Sequence, residues 1–517
     1  MIRKFIDKWL GKPAGAKAAG MAPGKRLDIG AAEHGINPEL VDERAARVVR
    51  TLQEAGHQAY VVGGAVRDLL VGLRPKDFDV ATDATPEQVK ALFRRAFIIG
   101  RRFRIVHVIF GRGRDHEVVE VSTFRAYRDA ELADQVDGNE KTSKSDLAGK
   151  SHVVDASGRV LRDNVWGPQI EDAARRDFTI NAMYYDPVTQ VVVDYHHGLK
   201  DLKKKTLRMI GDPATRFRED PVRLIRVLRF AAKLGFEIEP ATRKPMAETA
   251  ALLDNVPASR LFDEMIKLLQ TGHALASVDE LRKHGLTTLF PLLAPLMHKG
   301  IRHKNQQVQF IESALADTDT RVAEGRSVAP SFMLACLMWH EVNERWQAAQ
   351  AQGAHALPAL QEAIDAVFDA RIGDISGRGN LGADMREIWL MQPRFERRTG
   401  SSPYSLIEQP RYRAAYDFLR LRADCGELDV DLADWWEDFA LGTTEEREAL
   451  ILAVREAQRA QPRRVPAAPK PSTTAGEGPQ APGTVADIDA ASPARKRRRR
   501  RRKPSGAGSA AATESTP

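Results

Sequence analysis

Residues 59–80 read AYVVGGAVRDLLVGLRPKDFDV, and this stretch decides how the region around it folds. A short β-branched run ends at Gly63 and Gly64, a helix-like segment follows, and a second strand carries Asp77 and Asp79. Residues two apart on a strand point to the same face, so the two carboxylates are predicted side by side, where a cation would neutralise them. An isolated D-x-D is more often a solvated strand edge. The glycine pair before it favours a site for Mg²⁺ and a nucleoside triphosphate.

Size and composition set limits on the rest of the chain. Its 517 residues, 43% of them hydrophobic, are enough for several domains with buried cores. The two cysteines, Cys336 and Cys425, form no C-x-x-C motif, so no zinc site or disulfide framework is implied. Their small number fits a reducing cytoplasm, and no apolar run approaches the roughly 20 residues of a membrane span. The sequence therefore predicts a cytoplasmic protein without a transmembrane segment.

The positive charge is concentrated near the C-terminus. The formal net charge is +8, and nine consecutive basic residues account for it: Arg495, Lys496, Arg497, Arg498, Arg499, Arg500, Arg501, Arg502 and Lys503. Such a run cannot fold on itself and is typical of an arm that binds a polyanion. A solubilising terminus is the alternative. Arginine predominates and suits phosphate geometry, which favours a tail that binds nucleic acid.

Composition and periodicity divide the chain into regions. Mixed α/β patterns, with strands at 104–110 and 117–123 and a helix start at Thr85-Pro86-Glu87-Gln88, give way to helical patterns after about Lys205. We predict five regions: an amphipathic N-terminal segment and linker (1–34), an α/β domain (35–190), a helical neck (191–270), a helical body (271–462) and a disordered tail (463–517). The predicted fold class is α+β, a mixed sheet with helices followed by all-helical domains.

A second segment with candidate chemistry is EVVEVSTFR, residues 117–125. Val118, Glu120 and Ser122 share one strand face. Glu120 has apolar neighbours in the sequence, where a buried unpaired carboxylate would be costly, so a third carboxylate beside the aspartate pair would explain it. A glutamate at a sheet edge is the alternative.

The third and fourth segments are rich in arginine. In EDAARRDFTINAM, residues 171–183, a helix would place Asp177 and Asn181 on one face. In REDPVRLIRVLRFAAKLGF, residues 218–236, Pro221 begins a helix on which several basic residues share a face. That face is either solvated or lines a groove for a triphosphate or an RNA backbone.

Together the four segments resemble the class II nucleotidyltransferase family of bacterial poly(A) polymerases and CCA-adding tRNA nucleotidyltransferases. The motifs are GG-x-V-R-D at 63–68, K-D-x-D at 76–79, R-R-D-x-x-x-N-A at 175–182 and E-D-P-x-R-x-x-R at 219–226. The segments GRRFRIVHVIFG (100–111) and LRDNVWG (161–167) and the arginine-rich tail resemble the poly(A) polymerase branch most closely.

The resemblance implies a nucleotidyltransferase palm at 35–190 and transfer of AMP from ATP to RNA 3′ ends. Two Mg²⁺ ions would be held by Asp77 and Asp79, and either Glu120 or Asp177 would be a third essential carboxylate, with Asp177 the closer match to the motif. Asp220 would help to read the base edge. The nucleotide-binding residues would be Gly63, Gly64, Arg67, Arg176, Asn181, Asp220, Arg223 and Arg226.

Two alternatives to a poly(A) polymerase remain at the level of sequence. A CCA-adding enzyme would use the same chemistry and much the same motifs. An inactive RNA-binding protein with this fold would usually have lost one of the two aspartates, and both are present here. For an active enzyme we expect mRNA and small-RNA 3′ ends as substrates, an RNA chaperone or the RNA degradation machinery as partners, and a monomer.

Overall fold

The computed structural model describes residues 24–100, 104–111, 116–126, 134–136, 152–155, 160–163, 165–297, 305–371, 373 and 379–460. The predicted amphipathic helix at the N-terminus and the basic run at 495–503 lie outside the described residues. Within those residues a mixed sheet with helices is followed by an almost wholly helical region. The predicted fold class is therefore confirmed.

Thirteen strands occur in the part of the chain that the structure describes. They are β1 Leu27–Gly30, β2 Ala59–Val62, β3 Asp79–Thr82, β4 Ala96–Ile99, β5 Ile105–Phe110, β6 Glu117–Thr123, β7 Asp134–Val136, β8 His152–Asp155, β9 Val160–Asp163, β10 Met183–Asp186, β11 Val191–Asp194, β12 Thr206–Leu207 and β13 Glu237–Ile238. The main sheet has the order β1-β11-β10-β2-β3-β6-β5-β4, with β7–β9 and β12–β13 in two small sheets.

Within the main sheet only β3 and β6 run parallel. The crossover between them contains a helix and the strands β4 and β5, and β5 and β6 form the predicted antiparallel pair. The register places Asp79 of β3 opposite Glu120 of β6. A carboxylate that lies 41 positions away in the sequence thus becomes a neighbour of the aspartate motif.

Helices cover the sheet and then make up the rest of the described chain. The first ten are α1 Ala31–His34, α2 Glu43–Glu54, α3 Gly64–Leu70, α4 Pro86–Leu92, α5 Gln169–Ala174, α6 Gly198–Lys203, α7 Pro213–Glu219, α8 Val222–Leu234, α9 Pro240–Arg243 and α10 Met246–Thr249. The remaining ones are α11 Ala258–Leu269, α12 Ala274–Lys283, α13 Ala294–Met297, α14 Gln306–Ala323, α15 Pro330–Ala351, α16 Ala356–Arg371, α17 Gly379–Met391, α18 Ser402–Ile407, α19 Tyr412–Asp424, α20 Val430–Leu441 and α21 Thr444–Ala460.

Alternation along the strands separates the two faces of the sheet. Val61 and Val80 are fully buried on the face against which α2 packs, and they belong to the main hydrophobic core. Val62 and Ala81 point the other way into a smaller cluster with Tyr184. The predicted start of α4 is confirmed, because the Thr85 amide donates to Gln88 Oε1 (2.8 Å) and the Gln88 amide donates to Thr85 Oγ1 (3.3 Å).

The helical region has two parts with separate interiors. Helices α8 and α11 to α17 share the main core with the sheet region, and Trp339 and Trp389 are buried there. Helices α18 to α21 contribute to a second cluster built around Trp436, whose indole N–H donates to the Phe395 carbonyl at 2.8 Å. None of the helices in the described ranges is long and apolar enough to cross a membrane.

The edges of the sheet differ from the predicted region boundaries. Strand β11 (191–194) pairs with β10 and with β1, so the sheet continues beyond residue 190 and includes residues 27–30 of the predicted linker. Local composition around residues 13–27 indicates a linker, but Ile29 of β1 is buried against the core. A partner strand more than 160 positions later in the chain supplies the hydrogen bonds for β1.

Candidate active site

The glycine pair forms the turn between β2 and α3. Gly63 has φ of 72°, a conformation that L side chains rarely adopt, and Gly64 is the first residue of α3. A Cβ atom on Gly63 would lie 3.3 Å from Nη1 of Arg176. Glycine is therefore needed both for the backbone turn and for the close approach of this arginine.

The aspartate motif lies at the start of β3, with Asp77 just before the strand and Asp79 as its first residue. The Asp79 side chain keeps contact with solvent at the edge of a cleft. Burial and the negative charges of Glu120 and Asp77 raise the pKa of Asp79 to about 6, although Arg176 acts in the opposite direction. Ionised Asp79 thus lies in an excess of negative charge, as expected of a site that attracts a cation.

Glu120 lies on the same face of the sheet as Asp79. Its side chain is exposed and its Oε1 lies 3.4 Å from Nε2 of His107, on the neighbouring strand. The sequence suggested a carboxylate buried among apolar residues, and this is wrong, because Val119 and Val121 point into the core while Glu120 points out. The strand register places Glu120 beside Asp79, and its negative charge contributes to the raised pKa of Asp79.

The helix predicted across residues 171–183 ends at Ala174. Phe178 has an extended backbone that forms a β-bridge with Met209, and its ring is fully buried in the core. A 3₁₀ turn follows at Thr179–Asn181. The predicted contact between Asp177 and Asn181 is present nevertheless, because this turn brings the two side chains together. The Asn181 side-chain amide donates to Asp177 Oδ1 at 3.3 Å.

Asp177 is held by several donors. Arg226 Nε donates to its Oδ2 at 3.0 Å, and the Phe178 amide donates to Oδ1 at 2.8 Å. Burial alone would raise the pKa of this carboxyl, but Arg226 and the hydrogen bonds from Asn181 and Phe178 lower the pKa to about 2. Asp177 is therefore ionised and fully engaged with protein groups.

Two further arginines on the same side of the cleft are held in place by hydrogen bonds. Arg67 is buried. Its Nη1 donates to Asn181 Oδ1 at 2.8 Å, and its Nε donates to Asp68 Oδ1 at 2.8 Å. Arg176 donates to Asp172 Oδ2 at 3.2 Å and stacks over the Tyr184 ring.

Helices α7 and α8 provide the other side of the cleft. Asp220, which follows α7, accepts a hydrogen bond from Arg260 of α11 at 2.9 Å. Arg223 donates to Glu219 Oε2 (2.9 Å) and to the Arg216 carbonyl (3.0 Å). Phe230, one turn beyond Arg226, lies beneath the guanidinium groups of Arg67, Arg226 and Arg229.

These elements enclose an open cleft of about 410 Å³. Its lining contains all eight residues that the sequence assigned to nucleotide binding, together with Asp79 and Asp177. Four further lining residues were not predicted as site residues: Val222, Phe230, Arg260 and Glu264. Arg260 and Glu264 are four apart on one helix, a spacing that puts them on the same face, but nothing in the sequence shows which way that face points.

The donor set near Asp79 suits Mg²⁺. Mg²⁺ in nucleotide enzymes is bound by one or two carboxylates together with substrate phosphates, rather than by a complete protein cage. Within the described residues no group of three or more His, Cys, Asp or Glu side chains is arranged to hold a metal by itself. Asp79, whose pKa is raised by burial and by the negative charges of Glu120 and Asp77, lines the cleft and fits the substrate-completed type of site.

Three family models match the chain. They are the poly A polymerase head domain over residues 59–208, the probable RNA and SrmB-binding site of polymerase A over residues 235–297, and the polymerase A arginine-rich C-terminus over residues 352–470.

Full-length relatives are also similar. Poly(A) polymerase I of Haemophilus influenzae is 40% identical over 442 residues, covering 84% of this chain and 92% of that protein. Poly(A) polymerase I of Escherichia coli O157:H7 is 37% identical over 482 residues, covering 92% and 99%. The CCA-adding enzyme of Bacillus subtilis is 36% identical over only 261 residues, or 50% of this chain and 58% of that enzyme.

Proposed function

This chain belongs to the bacterial poly(A) polymerase family, and from that premise we propose that its cleft is where AMP passes from ATP to RNA. The protein is a nucleotidyltransferase that adds AMP to RNA 3′ ends without a template. The observation that carries this conclusion is the similarity to poly(A) polymerase I over 84% and 92% of the chain. In the reaction, the 3′ oxygen of the RNA forms a bond to the α-phosphorus of ATP, the bond to the β-phosphate oxygen breaks, and pyrophosphate leaves.

Asp77 and Asp79 are proposed to hold two Mg²⁺ ions, which would supply activation of the attacking hydroxyl and neutralisation of the leaving group. Support comes from the negative surroundings of Asp79 and from Glu120 in the adjacent register position. We place Glu120 as the third carboxylate on this side, where its charge adds to the attraction for the cations.

Asp177 is proposed to position its neighbours rather than to contact the metal. Its two oxygens already accept bonds from Arg226, Asn181 and the Phe178 amide. In the structure Asp172 holds Arg176, and Asp177 holds Arg226. We propose that the guanidinium groups so fixed contact the sugar and phosphates of ATP, with the Gly63–Gly64 turn approaching the phosphates.

The base is proposed to lie against the α7–α8 side of the cleft, near Asp220 and Arg223. The bond from Arg260 fixes Asp220 from outside the motif, and Phe230, whose ring lies beneath the Arg67 and Arg226 guanidinium groups, also lines the cleft. Fixed polar groups of this kind favour one base edge over another, because a wrong base leaves them unpaired.

The test offers the purified protein each nucleoside triphosphate separately, with an A-ended RNA and with a tRNA that lacks its CCA end. We expect long adenylate tails from ATP alone on RNAs of unrelated sequence. If the protein accepted only tRNA ends, added C, C and A and then stopped, the CCA-adding alternative would be correct. If neither RNA were extended, the alternative of an inactive RNA-binding protein would be favoured.

The wider role is also proposed from the family. We propose that the enzyme acts in the cytoplasm on mRNA and small-RNA 3′ ends and so promotes RNA turnover, in contact with an RNA chaperone or the degradation machinery and as a monomer. The matches to an RNA-binding segment at 235–297 and to an arginine-rich C-terminal model at 352–470 support RNA as the substrate. Size measurement in solution and co-purification with and without ribonuclease test the oligomeric state and the partners.

A further inference from the structure

We propose that the open face of the main sheet at β4, β5 and β6, which carries Phe97, His107 and Glu120, binds the last nucleotides of the acceptor RNA, with Phe97 stacked against one of their bases. This inference rests on the proposed function, because it takes the RNA 3′ oxygen to react beside Asp79. Phe97 lies on β4, outside every motif by which the family is recognised in this sequence.

This face of the sheet is covered by protein in one part and open in another. Over β3, Ala81 packs in a cluster with Ala173 of α5. On the same face of β4 and β6, the side chains of Phe97, Ile99 and Val118 are exposed although all three are apolar. Exposed apolar side chains grouped on one face indicate a surface that an occupant covers.

A single row of paired residues connects the open face to Asp79. Asp79 on β3 is paired with Glu120 on β6. Glu120 is paired with His107 on β5, and His107 is paired with Phe97 on β4. Directly paired residues point to the same face of a sheet, and the three strand spacings of this row span about 14 Å. That distance suits the terminal nucleotides of a single strand that ends at Asp79.

The geometry of the reaction brings the acceptor to this side of Asp79. The cleft assigned to ATP has a volume of about 410 Å³, the size of a pocket for one small ligand, and among the described residues none from β4, β5 or β6 lines it. In an in-line displacement, the attacking oxygen approaches phosphorus from the side opposite to the leaving pyrophosphate. With the triphosphate at the Gly63–Gly64 turn, the RNA end therefore lies beyond Asp79, over the open face.

The side chains of the open face favour bases over phosphates. Glu120 repels phosphate when ionised, whereas the ring of Phe97 offers a surface on which a base can stack. Phe97 is 53% exposed, and it is the only exposed residue among the Phe, Tyr and Trp residues that the structure describes. Stacking on an aromatic ring requires no particular base, so a contact of this kind fits an enzyme that works without a template.

The experiment measures kcat, KM for an A-ended single-stranded RNA and KM for ATP in the full chain and its variants. In Phe97→Ala we expect KM for RNA to rise about 5- to 100-fold, as for loss of one stacked base, with kcat and KM for ATP nearly unchanged. Phe97→Trp should keep the wild-type KM for RNA, whereas the apolar but non-aromatic Phe97→Leu should not. The control Leu441→Ala removes an exposed apolar side chain on α20 and should behave like wild type.

A change in the RNA tests the same contact from the other side. RNAs that lack a single base near the 3′ end should have a raised KM with wild type. The largest of these losses should disappear in Phe97→Ala, because the ring on which that base stacks is already absent. A base missing far upstream should show no such coupling to Phe97.

Two outcomes would overturn the proposal. If wild type used every RNA with a missing base as efficiently as intact RNA, the proposal would fail without any variant, even if Phe97→Ala did not fold. An unchanged KM for RNA in folded Phe97→Ala would also overturn it. If that variant also changed from dimer to monomer in solution, the open face would bind a second copy of the chain instead. If wild type did not extend RNA with ATP at all, the proposed function itself would have failed.

Discussion

At the scale of single residues, the charges of the cleft are nearly all paired within the protein. Arg226 pairs with Asp177, Arg176 with Asp172 and Arg260 with Asp220. Asp79 differs, because two of its three charged neighbours are negative. The paired groups are thus held in place before substrate arrives, whereas the excess negative charge at Asp79 is available to a cation.

Removing either proposed metal ligand should abolish nucleotide addition without unfolding the protein. For Asp77→Asn or Asp79→Asn we expect extension to fall by about a thousandfold or more, as for loss of several kcal/mol of charge stabilisation. The melting temperature of the Asp79 variant should be no lower than that of wild type, since the substitution removes repulsion from Glu120. Asp28→Asn, an exposed aspartate on β1 of the same sheet, is the control. Near-normal extension by either variant would refute the assignment.

The ion pair of Asp177 should make stability depend on pH in the acid range. The folded-state pKa of Asp177 is lowered from 3.8 to about 2. Its contribution is therefore present above the unfolded pKa and is lost as pH falls from about 4 towards 2. The shift corresponds to about 2 kcal/mol. Urea unfolding of wild type and Asp177→Asn should differ at pH 6, and the difference should shrink at pH 3.

The partner residue supplies the control for this pH effect. Arg226→Met should remove the same acid dependence, because Arg226 lowers the pKa of Asp177. If the difference between wild type and Asp177→Asn stayed constant from pH 6 to pH 3, this ion pair would not be the cause.

At the scale of elements, the site depends on where helices and strands begin and end. The β2–α3 turn brings Gly63 against Arg176, β3 begins at Asp79, and α5 stops at Ala174 so that Asp177 can turn back towards α8. These ends bring the Gly63 backbone, the Asp79 carboxylate and the Asp177 carboxylate to the cleft. A helix or strand that continued through them would have pointed these groups in other directions.

Two glycines at opposite ends of α3 offer a matched pair of variants, in which the effect of backbone strain can be distinguished from the effect of contact with the site. Gly63 and Gly72 have φ of 72° and 76°, but a Cβ on Gly72 would meet no atom within 4 Å. We expect Gly63→Ala and Gly72→Ala each to lower the free energy of unfolding by about 1–2 kcal/mol. Only Gly63→Ala should also displace Arg176 and lower kcat/KM by about 10- to 100-fold. Equal activity of the two variants would contradict this role of the turn.

At the scale of the whole molecule, the cleft is a joint product of the sheet region and the first long helices of the helical region. The sheet supplies Asp79 and the glycine turn, while α8 and α11 supply Arg226, Phe230, Arg260 and Glu264. The formal charge is distributed differently, because the nine basic residues near the C-terminus account for the net +8. Chemistry and much of the electrostatic attraction to RNA are therefore assigned to different parts of the chain.

A chain that ends at Ala460, the last residue of α21, should keep catalysis on saturating RNA but bind RNA less tightly at low salt. Each lost phosphate contact should make the slope of log affinity against log salt shallower by about 0.7. The loss should be similar for RNAs of different sequence, since contacts to phosphate carry no base information. The measurement is binding of two unrelated RNAs across a salt series. Equal affinity and equal slope for the two chains would show that the tail only aids solubility.

Much of the site was predictable from the sequence because its signals are local. The glycine turn, the helix start at Thr85 and the arginine-rich helix after Pro221 each arise from residues a few positions apart. Backbone geometry, capping and side-chain spacing act over that range. The eight residues that the family resemblance assigned to nucleotide binding come from three such segments, and all of them line one cleft.

The sequence alone determined the kind of chemistry, the α+β class and the elements that carry the motifs. The tertiary structure decided which partner each charge takes: Asp177 with Arg226, Asp172 with Arg176, and Glu120 beside Asp79. It also ended α5 early, paired β1 with β11 and placed Glu264 in the lining of the cleft. The physical reason is that the energies of ion pairs, strand pairs and burial depend on groups distant in sequence, whose positions exist only once the chain has folded.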